Sequence, residues 1–86
     1  MLIRYAKKAE KELAIINKPD AKRIKEKLEL YAQNPEVGDV IHLSGHINLY
    51  RLRVGNYRVI FELIDGEVRI LHVLFIAHRS EVYKDL

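Results

Sequence analysis

The chain has 86 residues, 49% hydrophobic and 31% charged, enough for one modest core and too ordered in composition for a disordered tail. It contains no cysteine, which excludes disulfides, thiolate catalysis and cysteine-based zinc sites. A net charge of +3 leaves a polyanionic partner open, but where the charges sit matters more than their sum. A single domain over residues 1–86 is expected. No stretch approaches the roughly 18 apolar residues of a membrane-spanning helix, and Met1-Leu2-Ile3-Arg4-Tyr5 lacks the pattern of a secretory signal. A cytosolic location, with no membrane partner, is therefore the expectation.

Leu2–Tyr5 reads as a short strand. From Ala6 the period becomes helical, with Ala9, Leu13 and Ile16 recurring at spacings of three and four. Asn17-Lys18-Pro19-Asp20 breaks this helix, and a second runs from about Asp20 to Gln33 on a stripe of Ala21, Ile24, Leu28 and Tyr31. Its outer face alternates lysine and glutamate, for example Lys22 with Glu26, and reads as a solvated surface. Glu36–Asn48 reads as a loop-rich link. His42 and His46 within it lack the companion ligands of a zinc site.

Three strands follow. Leu49–Val54 and Tyr57–Ile64 flank Gly55-Asn56, and Tyr57–Ile64 and Glu67–Ala77 flank Asp65-Gly66, both two-residue hairpin signals. The expected fold class is α+β: two N-terminal helices on one face of a small antiparallel sheet, in the order β-α-α-β-β-β. Leu2–Tyr5 extends that sheet at an edge.

The turns set the register, and the register decides which side chains are neighbours. The first turn places Arg53 directly opposite Arg58. The second places Ile64 opposite Glu67, Glu62 opposite Arg69 and Arg58 opposite Val73. One face then gathers Tyr50, Leu52, Val54, Tyr57, Val59, Phe61, Leu63, Val68, Ile70, His72, Leu74 and Ile76 under the helices. The other gathers Arg51, Arg53, Arg58, Ile60, Glu62, Arg69, Leu71, Val73, Phe75 and Arg79, with no helix left to cover it.

Like charges opposite each other on a sheet are destabilising, by a few tenths to roughly 1 kcal/mol. Arginines kept together in that way suit an incoming anion, and guanidinium matches phosphate geometry. The tail His78-Arg79-Ser80-Glu81-Val82-Tyr83 emerges at the same end of the sheet. It adds an imidazole, a guanidinium and a phenol, groups that serve metal-independent RNA cleavage. Apolar Ile60, Leu71, Val73 and Phe75 on the open face call for cover by a partner segment or a second copy.

The run Leu49-Tyr50-Arg51-Leu52-Arg53-Val54-Gly55-Asn56-Tyr57-Arg58-Val59-Ile60-Phe61 resembles the central hairpin of the RelE/ParE superfamily of toxin–antitoxin toxins. Leu43-Ser44-Gly45 and the ending His78-Arg79-Ser80-Glu81-Val82-Tyr83 look like the RelE branch, and the likeness spans essentially the whole chain. It implies a toxin held inactive by a cognate antitoxin, which when free cuts mRNA in the ribosomal A site without a metal or other cofactor. It implies Arg53, Arg58, Tyr83 and His78 as catalytic residues and Arg51 and Arg79 as substrate-binding residues. The chain departs from the pattern in two places. Arg51 and Arg53 stand where some relatives carry lysines, and Ile76-Ala77 stands where many have an extra arginine. Arginine is a poor general base, so base chemistry falls to His78 or Tyr83. A ParE-like toxin directed at DNA gyrase and an inactive, antitoxin-binding relative are the alternatives. No homo-oligomer is expected without the antitoxin.

Overall fold

The computed structural model describes residues 1–85; Leu86, the last residue of the expected 1–86 domain, lies outside the described residues. Strand β1 (Leu2–Tyr5) leads into helices α1 (Lys7–Ile15) and α2 (Lys18–Gln33). Strands β2 (Val40–His42), β3 (Leu49–Val54), β4 (Tyr57–Ile64) and β5 (Ile70–His78) follow, and a short 3-10 helix, η1 (Val82–Asp85), ends the described chain. The sheet order is β1-β5-β4-β3-β2. Neighbours are antiparallel except β1, which runs parallel to β5, so the sheet is mixed where an antiparallel one was expected.

Helix α2 starts two residues earlier than the proline suggested. The Asn17 side chain accepts a hydrogen bond from the Asp20 N–H at 3.0 Å, capping the first turn. Pro19 sits inside that turn, where its missing N–H would have had no helical partner anyway. Apolar Ile24, Leu28 and Tyr31 then face the sheet, packing with Leu52, Val54, Val59, Phe61 and Leu63 into the main core. Tyr50 stacks on Phe61, with ring centroids 5.6 Å apart. The Glu12 carboxylate of α1 accepts the Ile76 N–H at 2.7 Å, closing the β5 edge beyond the reach of β1.

Two expectations fail at the second hairpin. β5 begins at Ile70, and Ile64 pairs with Ile70, Glu62 with His72 and Arg58 with Ala77. Asp65–Arg69 is thus a longer loop, tied by an Arg69–Asp65 ion pair at 2.9 Å, and Gly66 does not adopt the positive φ of a tight primed turn. The displacement is odd in residues, so it reverses the faces at the start of β5. Leu71 and Val73 lie under the helices, fully buried, and His72 lies on the opposite face bonded to Glu62 at 2.8 Å. Val68, expected in the core, is exposed in the loop. Leu74 is then skipped by the ladder, since Phe61 pairs with Val73 and Ile60 with Phe75. This bulge restores the parity, and Phe75 and Ile76 take the faces read from the sequence. Burying Leu71 and Val73 outweighs a favourable local turn, because each buried aliphatic side chain contributes about 1.5–3 kcal/mol.

The supposed link before β3 also contains a strand. β2 pairs antiparallel with β3, with Val40 opposite Leu52, Ile41 opposite Arg51 and His42 opposite Tyr50. Nor is the face away from the helices bare. Leu43, Ile60, Phe75 and Val82 form a second small core there, with Val82 of η1 lying on the sheet. The chain covers these apolar groups itself.

The corrected register is open to direct test. Leu71→Ala should destabilise the fold by about 2–5 kcal/mol in urea unfolding, as for a buried leucine. Val68→Ala should stay within about 0.5 kcal/mol. The register with a two-residue second turn predicts the reverse ranking.

Candidate nucleic-acid interface

Gly55 and Asn56 close the β3–β4 hairpin, and only Gly55 has a positive φ (+57°), as a type II′ turn requires at its first central position. Val54 therefore pairs with Tyr57, and Arg53 lies directly opposite Arg58, as read from the sequence. Arg58 in turn faces Ala77 on β5. On the other side the Arg53 N–H bonds the Asp39 carbonyl at 3.0 Å, which continues the β2–β3 ladder by one residue. One row thus crosses four strands as Asp39, Arg53, Arg58 and Ala77. The next row reads Ile41, Arg51, Ile60 and Phe75.

Asp39 is the residue that sequence reasoning missed. Its carboxylate receives Arg51 through one oxygen at 3.2 Å and pairs with Arg53 through the other. Two of the arginines expected to be unneutralised therefore share a counterion. The signal was present in the sequence: Val40-Ile41 is a β-branched pair between Gly38 and Ser44-Gly45. Pairing it with β3 would have placed Asp39 beside Arg53. Gly38, at φ +110°, turns the chain into that strand.

Arg51 is the most buried of the cluster, with 14% of its side chain exposed, and among the described residues its Nε is buried without a hydrogen-bond partner. Arg53 is exposed. Arg58 donates to the Gly55 and Tyr57 carbonyls at 2.9 and 3.0 Å, which folds its guanidinium back over the turn. No described carboxylate pairs with it. Partial loss of hydration, and then the neighbouring charges of Arg51 and Arg53, hold Arg58 below the usual arginine range; Arg79 pushes the same way and the Tyr83 phenol opposes it.

The tail reaches the row by two attachments. The Arg79 N–H bonds the Asn56 carbonyl at 2.7 Å, tying the end of β5 to the hairpin turn. Val82 is buried against the small second core, while Tyr83 beside it is 55% exposed. Val82, another residue that sequence reasoning left unassigned, thus fixes where Tyr83 stands.

His78 is the exception. It pairs with Tyr57 in the last register position of β5 and meets that ring edge-on at 6.0 Å, on the helix side of the sheet. Its Nδ1 accepts from the Ser80 N–H at 3.3 Å and lies 2.9 Å from the Ser80 hydroxyl, shaping the turn into the tail. The sheet brings Arg51, Arg53 and Arg58 onto one face, ties the Arg79 main chain to their hairpin turn, and leaves His78 on the other side. At the end of β2, His42 faces the Ile47 carbonyl of the β2–β3 connection at 3.1 Å. Among the described residues no group of three or more histidines and carboxylates is placed to hold a metal, and no helix is long and apolar enough to cross a membrane.

Residues 3–83 match the family model for the ParE toxin of type II toxin–antitoxin systems, parDE. No curated protein gave a significant match. Among solved structures, the RelB–RelE antitoxin–toxin complex from Methanococcus jannaschii contains a chain 31% identical to this one. The match covers 96% of this chain and 98% of that one at a TM-score of 0.71. A chain of the archaeal RelE–RelB complex from Pyrococcus horikoshii is 28% identical, with 92% and 94% covered and a TM-score of 0.75. The intact Escherichia coli RelBE complex matches at 21% identity, covering 90% and 94% with a TM-score of 0.73, a likeness of fold alone.

The tail attachment makes a local prediction. Val82→Ala removes two buried methylene equivalents, about 1.5 kcal/mol at ~0.8 kcal/mol each. Hydrogen exchange should then accelerate at the amides of Glu81 and Lys84, with protection in β4 unchanged. A uniform rise across the sheet would mean that the tail is part of the global fold. With an arginine row at the hairpin end, the two-helix mixed-sheet fold and the family match over residues 3–83, the chain belongs to the RelE/ParE superfamily of type II toxin–antitoxin toxins.

Proposed function

We propose that this toxin is a ribosome-dependent mRNA endonuclease of the RelE kind, restrained by a cognate antitoxin and acting in the cytoplasm on the ribosome and its message. The observation that carries the reading is the Arg53–Arg58 row, with the Arg79 main chain hydrogen-bonded to its hairpin turn and Tyr83 exposed on the tail that follows. RNA cleavage of this type runs by attack of a ribose 2′-oxygen on the adjoining phosphorus. The 2′-hydroxyl loses a proton, negative charge grows on the phosphorane oxygens, and the 5′-oxygen leaves with a proton.

In this reading Arg53 and Arg58 grip the scissile phosphate and neutralise the growing charge, which suits guanidinium because it stays protonated throughout. Arg51 and Arg79 bind the backbone to either side. Tyr83, exposed at the rim, stacks on a splayed base and offers its hydroxyl for proton transfer. Neither a metal nor an organic cofactor is needed for these steps. His78, on the helix side, acts by shaping the tail turn through Ser80. The antitoxin restraint is supported by the two archaeal complexes, in each of which a similar chain is crystallised with its antitoxin.

The test is cleavage of a defined message on purified ribosomes. The native chain should cut at codon positions. Arg58→Ala should cut roughly 10²-fold more slowly or worse, as for loss of one charge-stabilising donor. Tyr83→Phe should slow cutting by about 10²-fold while leaving RNA affinity nearly unchanged, since phenyl still stacks. Intact message with translation unimpaired would overturn the nuclease reading. The match to the ParE family model favours a second reading, inhibition of DNA gyrase. Under that reading a supercoiling assay is inhibited by the protein and ribosome-bound message survives.

A further inference from the structure

The sheet carries its own anion at the place where a substrate phosphate would bind. Asp39 stands in the same cross-strand row as Arg53 and Arg58, and its two oxygens take one guanidinium each from Arg51 and Arg53. A phosphate would present the same two-oxygen face to the same donors. Arg58 has no described carboxylate partner, and its two main-chain hydrogen bonds both come from Nη1. The cluster is therefore divided: Arg51 and Arg53 are occupied, and Arg58 remains for an incoming anion.

From this we infer that Asp39 is an internal phosphate mimic, which masks Arg51 and Arg53 in the free protein and is displaced when an RNA backbone enters the row. The inference rests on the nuclease reading, in which that row is the RNA-binding face. Displacement requires little of the fold. The Asp39 main chain stays bonded to Arg53 through its carbonyl, and only the side chain must swing away. The Asp39 side chain is 38% exposed, so water can receive the released carboxylate. It directly follows Gly38, which is itself exposed.

The exchange has a thermodynamic signature. Releasing Arg51 and Arg53 costs the native chain its two ion pairs with Asp39, and the carboxylate left nearby repels the phosphate and offsets one unit of positive charge at the site. The native chain should then bind RNA more weakly, and with a shallower salt dependence, than a chain whose arginines are free. An ordered encounter also follows, with Arg58 meeting the phosphate first and Arg51 and Arg53 engaging as Asp39 leaves. The mask selects for ligands that offer successive phosphates, because a lone weak anion would gain little by displacing it.

The experiment is fluorescence anisotropy of the full, antitoxin-free chain with an oligouridylate of about ten nucleotides, within the common range of single-strand sites. Native, Asp39→Asn and Arg58→Ala proteins are titrated at several salt concentrations, with circular dichroism to confirm folding. Asp39→Asn should bind roughly three- to tenfold more tightly at low salt, with a steeper slope of log affinity against log salt, by up to about 0.7 for the one carboxylate charge removed. Asp39→Ser gives the same reading if the amide variant does not fold. Equal or weaker binding by the folded Asp39 variants, while Arg58→Ala loses affinity, overturns the mask and leaves the arginine face standing. Binding unaffected by either substitution overturns the mask and the RNA-binding face together.

Discussion

The placement of Arg53 opposite Arg58 is the constraint from which the rest of the site follows. A glycine at positive φ fixes a two-residue turn, the turn fixes the pairing, and the pairing sets two arginines directly opposite each other. Such a contact costs up to roughly 1 kcal/mol. On the other side of the same strands Leu52, Val54 and Val59 are buried against the helices, each contributing about 1.5–3 kcal/mol. The core therefore outweighs the repulsion, and the sheet can hold a cationic row that would not assemble unaided. Asp39 and the carbonyls of the turn relieve what remains.

The second determinant is the return of the chain end to that row. A bulge at Leu74 turns Phe75 to the face away from the helices, where it meets Ile60, Leu43 and Val82. This small core is an anchorage as much as a source of stability, because the residue after Val82 is the exposed Tyr83. The same apolar contacts that complete the sheet also aim the phenol. Fold and site are coupled through one side chain, and a change at Val82 reaches Tyr83 without touching any arginine.

The legible parts of the sequence were those in which local and tertiary preferences agree. The helices, the β3–β4 hairpin and the arginine pairing follow from periodicity and from Gly55-Asn56. Asp65-Gly66 is at least as strong a turn signal, yet a tight turn there would have exposed Leu71 and Val73, and packing prevailed. Leu74 then returned the register to its expected parity, so Phe75 and Ile76 were assigned correctly despite a wrong turn. β2 is three residues long, too short to display a period, and only the β-branched Val40-Ile41 between glycines marked it and the neighbouring Asp39. Val82 could not be read at all, because one apolar residue in a polar tail carries no pattern.

The most direct test of the arginine row as a polyanion grip is a side-chain NMR titration of the chain with a single-stranded oligoribonucleotide. The Nε–Hε signals of Arg51, Arg53, Arg58 and Arg79 should shift together with the ring of Tyr83, while the solvated lysines and glutamates of α2 stay unmoved. Shifts confined to the helices, or four arginines silent at saturating RNA, would contradict the account.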